Sequence, residues 1–231
     1  MAVCGRGSLE ERLRAEGATL ALGFIACAVV VAAFGLLARE TIGAAGGGPF
    51  DRAVELKVRD LAVPGGAAAM QAVSFFGSFP FLGPATLAVV GALALRQRKV
   101  SAALFLGSVL GGFGLEMLLK ILVHRPRPGL LAALAHETTY SFPSGHATMS
   151  TVFFGGLAAV VFHVTPRAVP RGAAAAGAAI VITCVSFSRI SLGVHWFTDV
   201  AGGVLVGLFW VIVSATATEI VAARGRVDDP G

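Results

Sequence analysis

Six apolar blocks divide this chain, at about 18–38, 67–95, 101–123, 146–164, 172–190 and 197–218, with charge gathered between them. A helix needs roughly 20 apolar residues to cross a hydrocarbon core of about 30 Å, and each block approaches or exceeds that length. In hydrocarbon the backbone must satisfy its own polar groups, so blocks of this kind fold as membrane-spanning helices. Composition excludes the soluble alternatives. Hydrophobic residues make up 56% of the chain and charged residues 13%, with a mean hydropathy of +0.82, too little polarity to cover a soluble surface. The expected fold class is all-α: a polytopic membrane protein, a six-transmembrane-helix bundle with both termini cytoplasmic. Residues 1–17 and 219–231 would be cytoplasmic segments around a membrane domain spanning 18–218.

Details within the blocks refine this picture. The second block is overlong and carries Pro80 and Pro84, which predicts a kink or a split into a short and a longer helix. The first follows Arg12 and Arg14 but exceeds the 7–15 apolar residues of a signal peptide, which favours a retained signal anchor. Between blocks one and two, Phe50, Val54, Val58 and Leu61 recur at helical spacing among charges. That pattern suits an amphipathic helix at the membrane interface, or equally a solvated helix in a loop. Gly107 with Gly111, and Gly203 with Gly207, form two Gly-x3-Gly pairs that let helices approach closely. Packing within one chain is expected of them, with dimerisation the lesser alternative, so a homo-oligomer is allowed but not indicated. Cys4, Cys27 and Cys184 have no disulfide or metal spacing and read as packing residues.

A net charge of +5 and a pI near 9.7 raise the question of nucleic acid. The arginines are scattered over short connections with no basic stripe, so topology and anionic headgroups account for them better, and no nucleic-acid partner is expected. With the N-terminus inside, ten lysines and arginines fall in inner segments and eight in outer ones. Three of the eight, Lys120, Arg127 and Arg189, belong to motifs with a chemical use of their own, which leaves ten against five and favours both termini inside. The connections three-to-four and five-to-six then share the outer face.

Those connections hold Lys120-x6-Arg127-Pro128, Pro143-Ser144-Gly145-His146 and Ser188-Arg189-x5-His195-x3-Asp199. His195 and Asp199, four apart at the start of the sixth span, would share one helix face. A carboxylate there fixes the imidazole tautomer and frees the other nitrogen, the orienting logic of a triad with histidine as the nucleophile. A plain helix-capping pair has the same spacing. Ser144 reads as the N-cap of the fourth span, where free N–H groups and the helix dipole favour an anion, and Gly145 lets backbone come close to it. His146 would stand beside that anion, able to protonate a leaving oxygen, although Pro-Ser-Gly is also common turn chemistry. Lys120, Arg127 and Arg189 offer the positive charge that phosphoryl transfer needs, or they snorkel at span ends. Arg125, in a competing Arg-Pro pair, is assigned at most a place on the rim.

In this order and spacing the three motifs resemble the signature of the phosphatidic acid phosphatase type 2 superfamily, which includes lipid phosphatases, glucose-6-phosphatase and the soluble vanadium haloperoxidases. The resemblance spans Lys120 to Asp199 and is silent on residues before about 100. It implies that Lys120, Arg127 and Arg189, with Ser144 and Gly145, grip a phosphate. It implies further that His195 attacks phosphorus to form a phosphohistidine, that Asp199 orients His195, and that His146 serves as general acid and then base. No metal and no cofactor is implied, since cations and amides carry the electrostatic work. His124, His136 and His163 receive no role. The first two, with Tyr140 and Phe142, sit in the connection that would roof the site.

The expected function is an integral membrane phosphatase, a metal-independent hydrolase of a lipid phosphate or pyrophosphate, with its site on the outer face of the plasma membrane. Its partners would be the lipid substrate and the bilayer. Polyprenyl pyrophosphate, phosphatidic acid, diacylglycerol pyrophosphate and phosphatidylglycerophosphate are the candidate substrates. A lipid phosphotransferase would use the same residues with an alcohol acceptor. A non-catalytic lipid carrier has no need of His195, Asp199 and His146 together, and a haloperoxidase is at odds with the membrane spans.

Overall fold

The computed structural model describes residues 4–42, 47–60, 65–128 and 139–228, and among them it is all helical. The helices are α1 (Cys4–Ile42), α2 (Pro49–Asp60), α3 (Gly66–Phe75), α4 (Phe79–Leu95), α5 (Lys99–Val123), α6 (Gly145–Ser150), α7 (Gly156–Val164), α8 (Ala168–Ser191) and α9 (Phe197–Asp228). A π-helical turn, Thr151–Gly155, joins α6 to α7 without a break. Among the described residues, six helical runs are long and apolar enough to cross a membrane: Glu16–Arg39, Gly66–Leu95, Lys99–Val123, Gly145–Val164, Ala168–Ser191 and Phe197–Val221. They coincide with the six apolar blocks, because the length of an apolar run is a local property that tertiary contacts do not alter.

The second span is split, as its prolines predict, though the break falls ahead of them. Phe76, Gly77 and Ser78 form a turn in which Ser78 Oγ donates to the Phe75 carbonyl at 2.7 Å. Pro80 then occupies the first turn of α4, where a missing N–H costs nothing, and Pro84 lies within the helix. The turn has a structural use. A Cβ on Gly77 would meet Val185 at 2.5 Å and the His146 carbonyl at 3.2 Å, so the break presses against α8 and the start of α6.

Helices α4 and α5 pack through Leu82, Leu93, Ala102 and Phe105, and Phe153 of the π turn completes that cluster. Helix α6 lies against α8 and α9, whereas α1 stands outside the bundle and packs along α9. Gly203 and Gly207 bring α9 onto α6: a Cβ at Gly203 would meet the Ser144 carbonyl at 2.7 Å, and one at Gly207 the Thr151 side chain at 2.5 Å. This pair therefore works within the chain. The α5 pair does not act as a pair, because Gly107 faces open space and the close contacts are made by Gly111 and Gly112 against Trp210 and Val152. Cys184 is exposed on α8, which corrects its reading as a packing residue; the Cys27 side chain is half-buried.

Helix α2 is amphipathic, with a twist. Val54 and Val58 pack onto Ala147, Ile190 and Val200, while Phe50 is exposed with its ring edge against Phe197 at 5.4 Å. Leu61 lies outside the described residues. The buried face of α2 also carries two acids, Asp51 and Glu55, which the apolar periodicity did not suggest.

Candidate active site

The three motifs meet at one end of the bundle, where α5 ends, α6 begins, α8 ends and α9 begins. Asp199 is the fixed point. It sits in the first turn of α9, fully buried, and its Oδ2 accepts from the Trp196 N–H at 2.9 Å and from Ser141 Oγ. Its Oδ1 accepts from Arg125 Nη1. His195 is not on the helix face that its spacing predicted. It precedes α9, in the turn that reverses the chain after α8, where Gly193 takes a φ of 68° that a side chain would strain. Asp199 nevertheless reaches back to it, with Nδ1 and Oδ2 3.6 Å apart, an ion-pair separation longer than a hydrogen bond.

The tautomer of His195 follows from its other nitrogen. Arg127 Nη1 lies 3.0 Å from Nε2, and a guanidinium can only donate. Nε2 must therefore present its lone pair, which puts the ring proton on Nδ1, facing Asp199. Burial pushes the His195 pKa down to about 4, more strongly than the Asp199 carboxylate pulls it up, and Arg127 and Arg189 add to the lowering. The imidazole is thus neutral near pH 7, with its Nε2 lone pair engaged by Arg127.

Arg127 is held in place by the Thr139 carbonyl at 2.8 Å and the Val194 carbonyl at 2.9 Å. Lys120 donates to the Tyr140 carbonyl at 2.9 Å and to Thr139 Oγ1 at 3.2 Å. Together with Gly145, His146 and His195 they line one cavity of about 810 Å³. The rest of its wall is apolar, from Phe79, Leu82 and Leu87 of α4 and Val109, Leu110 and Phe113 of α5. Leu87, Leu110 and Phe113 are exposed, so the cavity opens sideways between α4 and α5.

Ser144, Arg189 and Asp199 stand behind this wall. Ser144 occupies the N-cap position of α6, but its hydroxyl makes no capping bond and is buried without a partner, which corrects the cap reading. What ties Ser144 down is backbone: its N–H donates to the Asp199 carbonyl at 3.0 Å and its carbonyl accepts from the Thr148 N–H at 2.9 Å. Arg189, also buried, donates from Nη1 to Ser74 Oγ at 2.6 Å, fastening α8 to α3.

Arg125 is not on the rim. It is 3% exposed, and its two terminal nitrogens bridge α2 to α9: Nη1 reaches Asp199 and Thr198 Oγ1 (2.8 Å), and Nη2 reaches Asp51 Oδ2 at 2.8 Å. Asp51 in turn accepts from the Thr198 N–H at 3.0 Å and the Thr198 hydroxyl at 2.7 Å, capping α9 from a distant part of the chain. Phe142 does not face the site either: it is fully buried against Phe34, at 5.7 Å between ring centres. Tyr140 is exposed and meets the His124 ring edge-on at 4.5 Å. His163 lies apart, 3.1 Å from Glu219, and His136 is outside the described residues. Sequence reasoning also missed Glu116, buried on α5 and lining the cavity 3.3 Å from Lys120. The signal for it was available, since an acid inside an apolar span is costly and tends to have a use.

Residues 100–220 match the sequence model of the PAP2 superfamily. Among curated proteins, phosphatidylglycerophosphatase B of Bacillus subtilis is 33% identical over 141 residues, 60% of this chain and 68% of that protein. Decaprenylphosphoryl-5-phosphoribose phosphatase of Mycobacterium tuberculosis is 32% identical over 166 residues, 71% of this chain and 85% of that protein. Among solved structures, the transmembrane PAP2 type phosphatidylglycerolphosphate phosphatase from Bacillus subtilis superposes with a TM-score of 0.76 at 24% identity, covering 85% of this chain and 97% of that one. The helical bundle, the matched segment that contains all three motifs, and relatives aligned over most of their own length agree, and the chain belongs to the PAP2 superfamily.

Proposed function

We propose that this protein is a phosphatase of a membrane lipid phosphate, working through a phosphohistidine on His195 at the extracytoplasmic face of the plasma membrane. One observation carries the reading: a single cavity joins Lys120, Arg127, His146 and His195 to an apolar groove that opens laterally between α4 and α5. A lipid can place its chain in the groove and its phosphate against the cations without leaving the bilayer. The charge balance of the connections, with both termini inside, supports the outward orientation. The names of the curated relatives support a phosphate ester as substrate.

In this reading Lys120, Arg127 and the Gly145 N–H, which line the cavity, hold the phosphate oxygens, while Arg189 and the Ser144 hydroxyl act from behind the wall and reach the phosphate only as the site adjusts to substrate. Arg127 transfers its hydrogen bond from His195 Nε2 to the phosphate as substrate arrives, freeing the lone pair. Nε2 attacks phosphorus, the bond to the leaving oxygen breaks, and that oxygen takes a proton from His146. The neutral His146 then removes a proton from water, whose oxygen attacks the phosphohistidine and releases orthophosphate. Asp199 stabilises the Nδ1–H of His195 as positive charge develops on the ring, a distance that tightens during turnover.

The test is phosphate release by purified protein from a panel of lipid phosphates and diphosphates, with EDTA present. His195→Ala should abolish release while leaving insertion and folding intact. Near-normal turnover by that variant rules out the nucleophile, loss of wild-type activity in EDTA rules out the metal-free scheme, and lipid consumed without free phosphate identifies transfer to an alcohol instead.

A further inference from the structure

Glu116 brings a negative charge to a site that has to hold a phosphate. It lies one helical turn before Lys120, within a membrane span, and is 3% exposed. Its Oε1 is 3.3 Å from Lys120 Nζ, and a Cβ added to Gly145 would come within 2.8 Å of that same oxygen. The carboxylate thus touches both a cation and the glycine of the proposed phosphate cradle, and it lines the cavity where the apolar groove gives way to the polar end. Positioning Lys120 does not by itself call for a charge there, because the ammonium already donates to the Tyr140 carbonyl and Thr139 Oγ1 and a neutral acceptor could take its third proton. An ionised carboxylate only accepts hydrogen bonds, so toward phosphate oxygens it is repulsive. For an anion site without regard to charge, an apolar residue would serve better.

We infer that Glu116 sets how much negative charge the pocket accepts, matching it to a phosphate monoester and disfavouring a terminal diphosphate. This rests on the phosphatase reading above and narrows its substrate class. Lys120, Arg127 and Arg189 bring three positive charges, and Arg125, which does not line the cavity, adds none because two carboxylates, Asp51 and Asp199, more than offset it. Glu116 offsets one of the three, leaving at most two, against the roughly −1.5 to −2 of a monoester at neutral pH. A diphosphate end group carries about one charge more, with no cation left to meet it. At a separation of about 6 Å and an effective dielectric constant of about 20, one such repulsion disfavours binding by roughly 10–100-fold.

The experiment compares wild type, Glu116→Gln and Glu116→Asp, as full chains in detergent, on phosphatidic acid and on farnesyl diphosphate. Orthophosphate and pyrophosphate serve as competitive inhibitors, so that the lipid tail does not enter. Wild type should favour the monoester and bind orthophosphate more tightly than pyrophosphate. Glu116→Gln should move both ratios toward the diphosphate by roughly tenfold or more, while Glu116→Asp, which keeps the charge, holds them near wild type. Parallel loss on both substrates with unchanged ratios overturns the inference and makes Glu116 a support for Lys120. Should Glu116→Gln fail to fold, tighter binding of pyrophosphate than of orthophosphate by wild type overturns it equally. Wild type that releases phosphate from no lipid of the whole panel sinks the phosphatase reading instead, and orthophosphate and pyrophosphate affinities measured directly by calorimetry then decide the charge question.

Discussion

Arg125→Ala is the perturbation that most directly separates a structural from a phosphate-binding role for the first Arg-Pro pair. The guanidinium is buried and joins two carboxylates, Asp51 and Asp199, with Thr198 between them. Removing it leaves two buried negative charges on adjacent elements with no cation between them. Breaking a buried pair in this way costs about 3–5 kcal/mol. For a chain of this size each kcal/mol moves Tm by about 2–4 °C, so thermal unfolding in detergent should fall by on the order of 10 °C. Activity has a separate magnitude. Asp199 loses one charge-assisted hydrogen bond, worth about 1.5–3 kcal/mol, and its hold on His195 loosens accordingly. At 1.36 kcal/mol per decade, kcat should fall roughly 10–100-fold. KM and the inhibition constant of orthophosphate should change little, since Arg125 is absent from the lining of the large cavity. Arg125→Lys should recover little, because one ammonium cannot bridge both acids as the two-pronged guanidinium does. Phosphate-release kinetics read the activity and a thermal melt reads the stability. An unchanged melt with unchanged kcat refutes the bridge, and a rise in KM or in the orthophosphate inhibition constant alone restores Arg125 as a phosphate ligand.

Two further outcomes follow from packing and titration. Gly203→Val puts a side chain against the Ser144 carbonyl, 2.7 Å from the Cβ position, and backbone cannot yield as a flexible side chain can. Overpacking of about 1–3 kcal/mol should lower Tm by several degrees, whereas Gly107→Val, facing open space, should leave it near wild type, and equal melts for the two count against the α6–α9 contact. The His195 pKa is depressed from 6.5 to about 4, so the folded state binds fewer protons than the unfolded state between those values. Stability is then present in full above pH 6.5 and falls as the pH drops through about 4, by about 3 kcal/mol at 1.36 kcal/mol per unit. Melts at pH 7 and pH 4 for wild type and His195→Gln check this, and an identical acid loss in the variant contradicts it.

What the sequence made legible depended on how local each signal was. The six spans were readable because apolar length needs no tertiary partner, and the shared face of the two key connections followed from counting crossings. The candidate site residues were visible as motif positions, but their spatial roles were not uniform. Lys120, Arg127, Gly145, His146 and His195 face the cavity, whereas Ser144, Arg189 and Asp199 stand behind it. Arg125 and Arg127 flank one proline outside any helix, so no helical period could tell which would turn inward. Asp51 was hidden for a different reason. The periodicity of α2 was judged on its apolar residues, and only contact with Thr198 and Arg125 makes an acid on that face favourable. The placement of His195 in a turn rather than on α9 likewise depends on Gly193, whose backbone conformation a four-residue spacing does not encode.

The bridge from Asp51 to α9 also has a meaning in time. Asp51 and Thr198 are 147 positions apart, and α9 follows the other described spans in chain order. At about 5–20 residues per second, roughly 7–30 seconds separate their synthesis. From its own synthesis until then Arg125 has no Asp199 to hold, and for nearly all of the interval His195, the proposed nucleophile, has not been built. On the proposed reading the protein therefore has no complete site until α9 has entered the bilayer, and a chain truncated before α9 keeps the Arg125–Asp51 pair but lacks the carboxylate that faces His195.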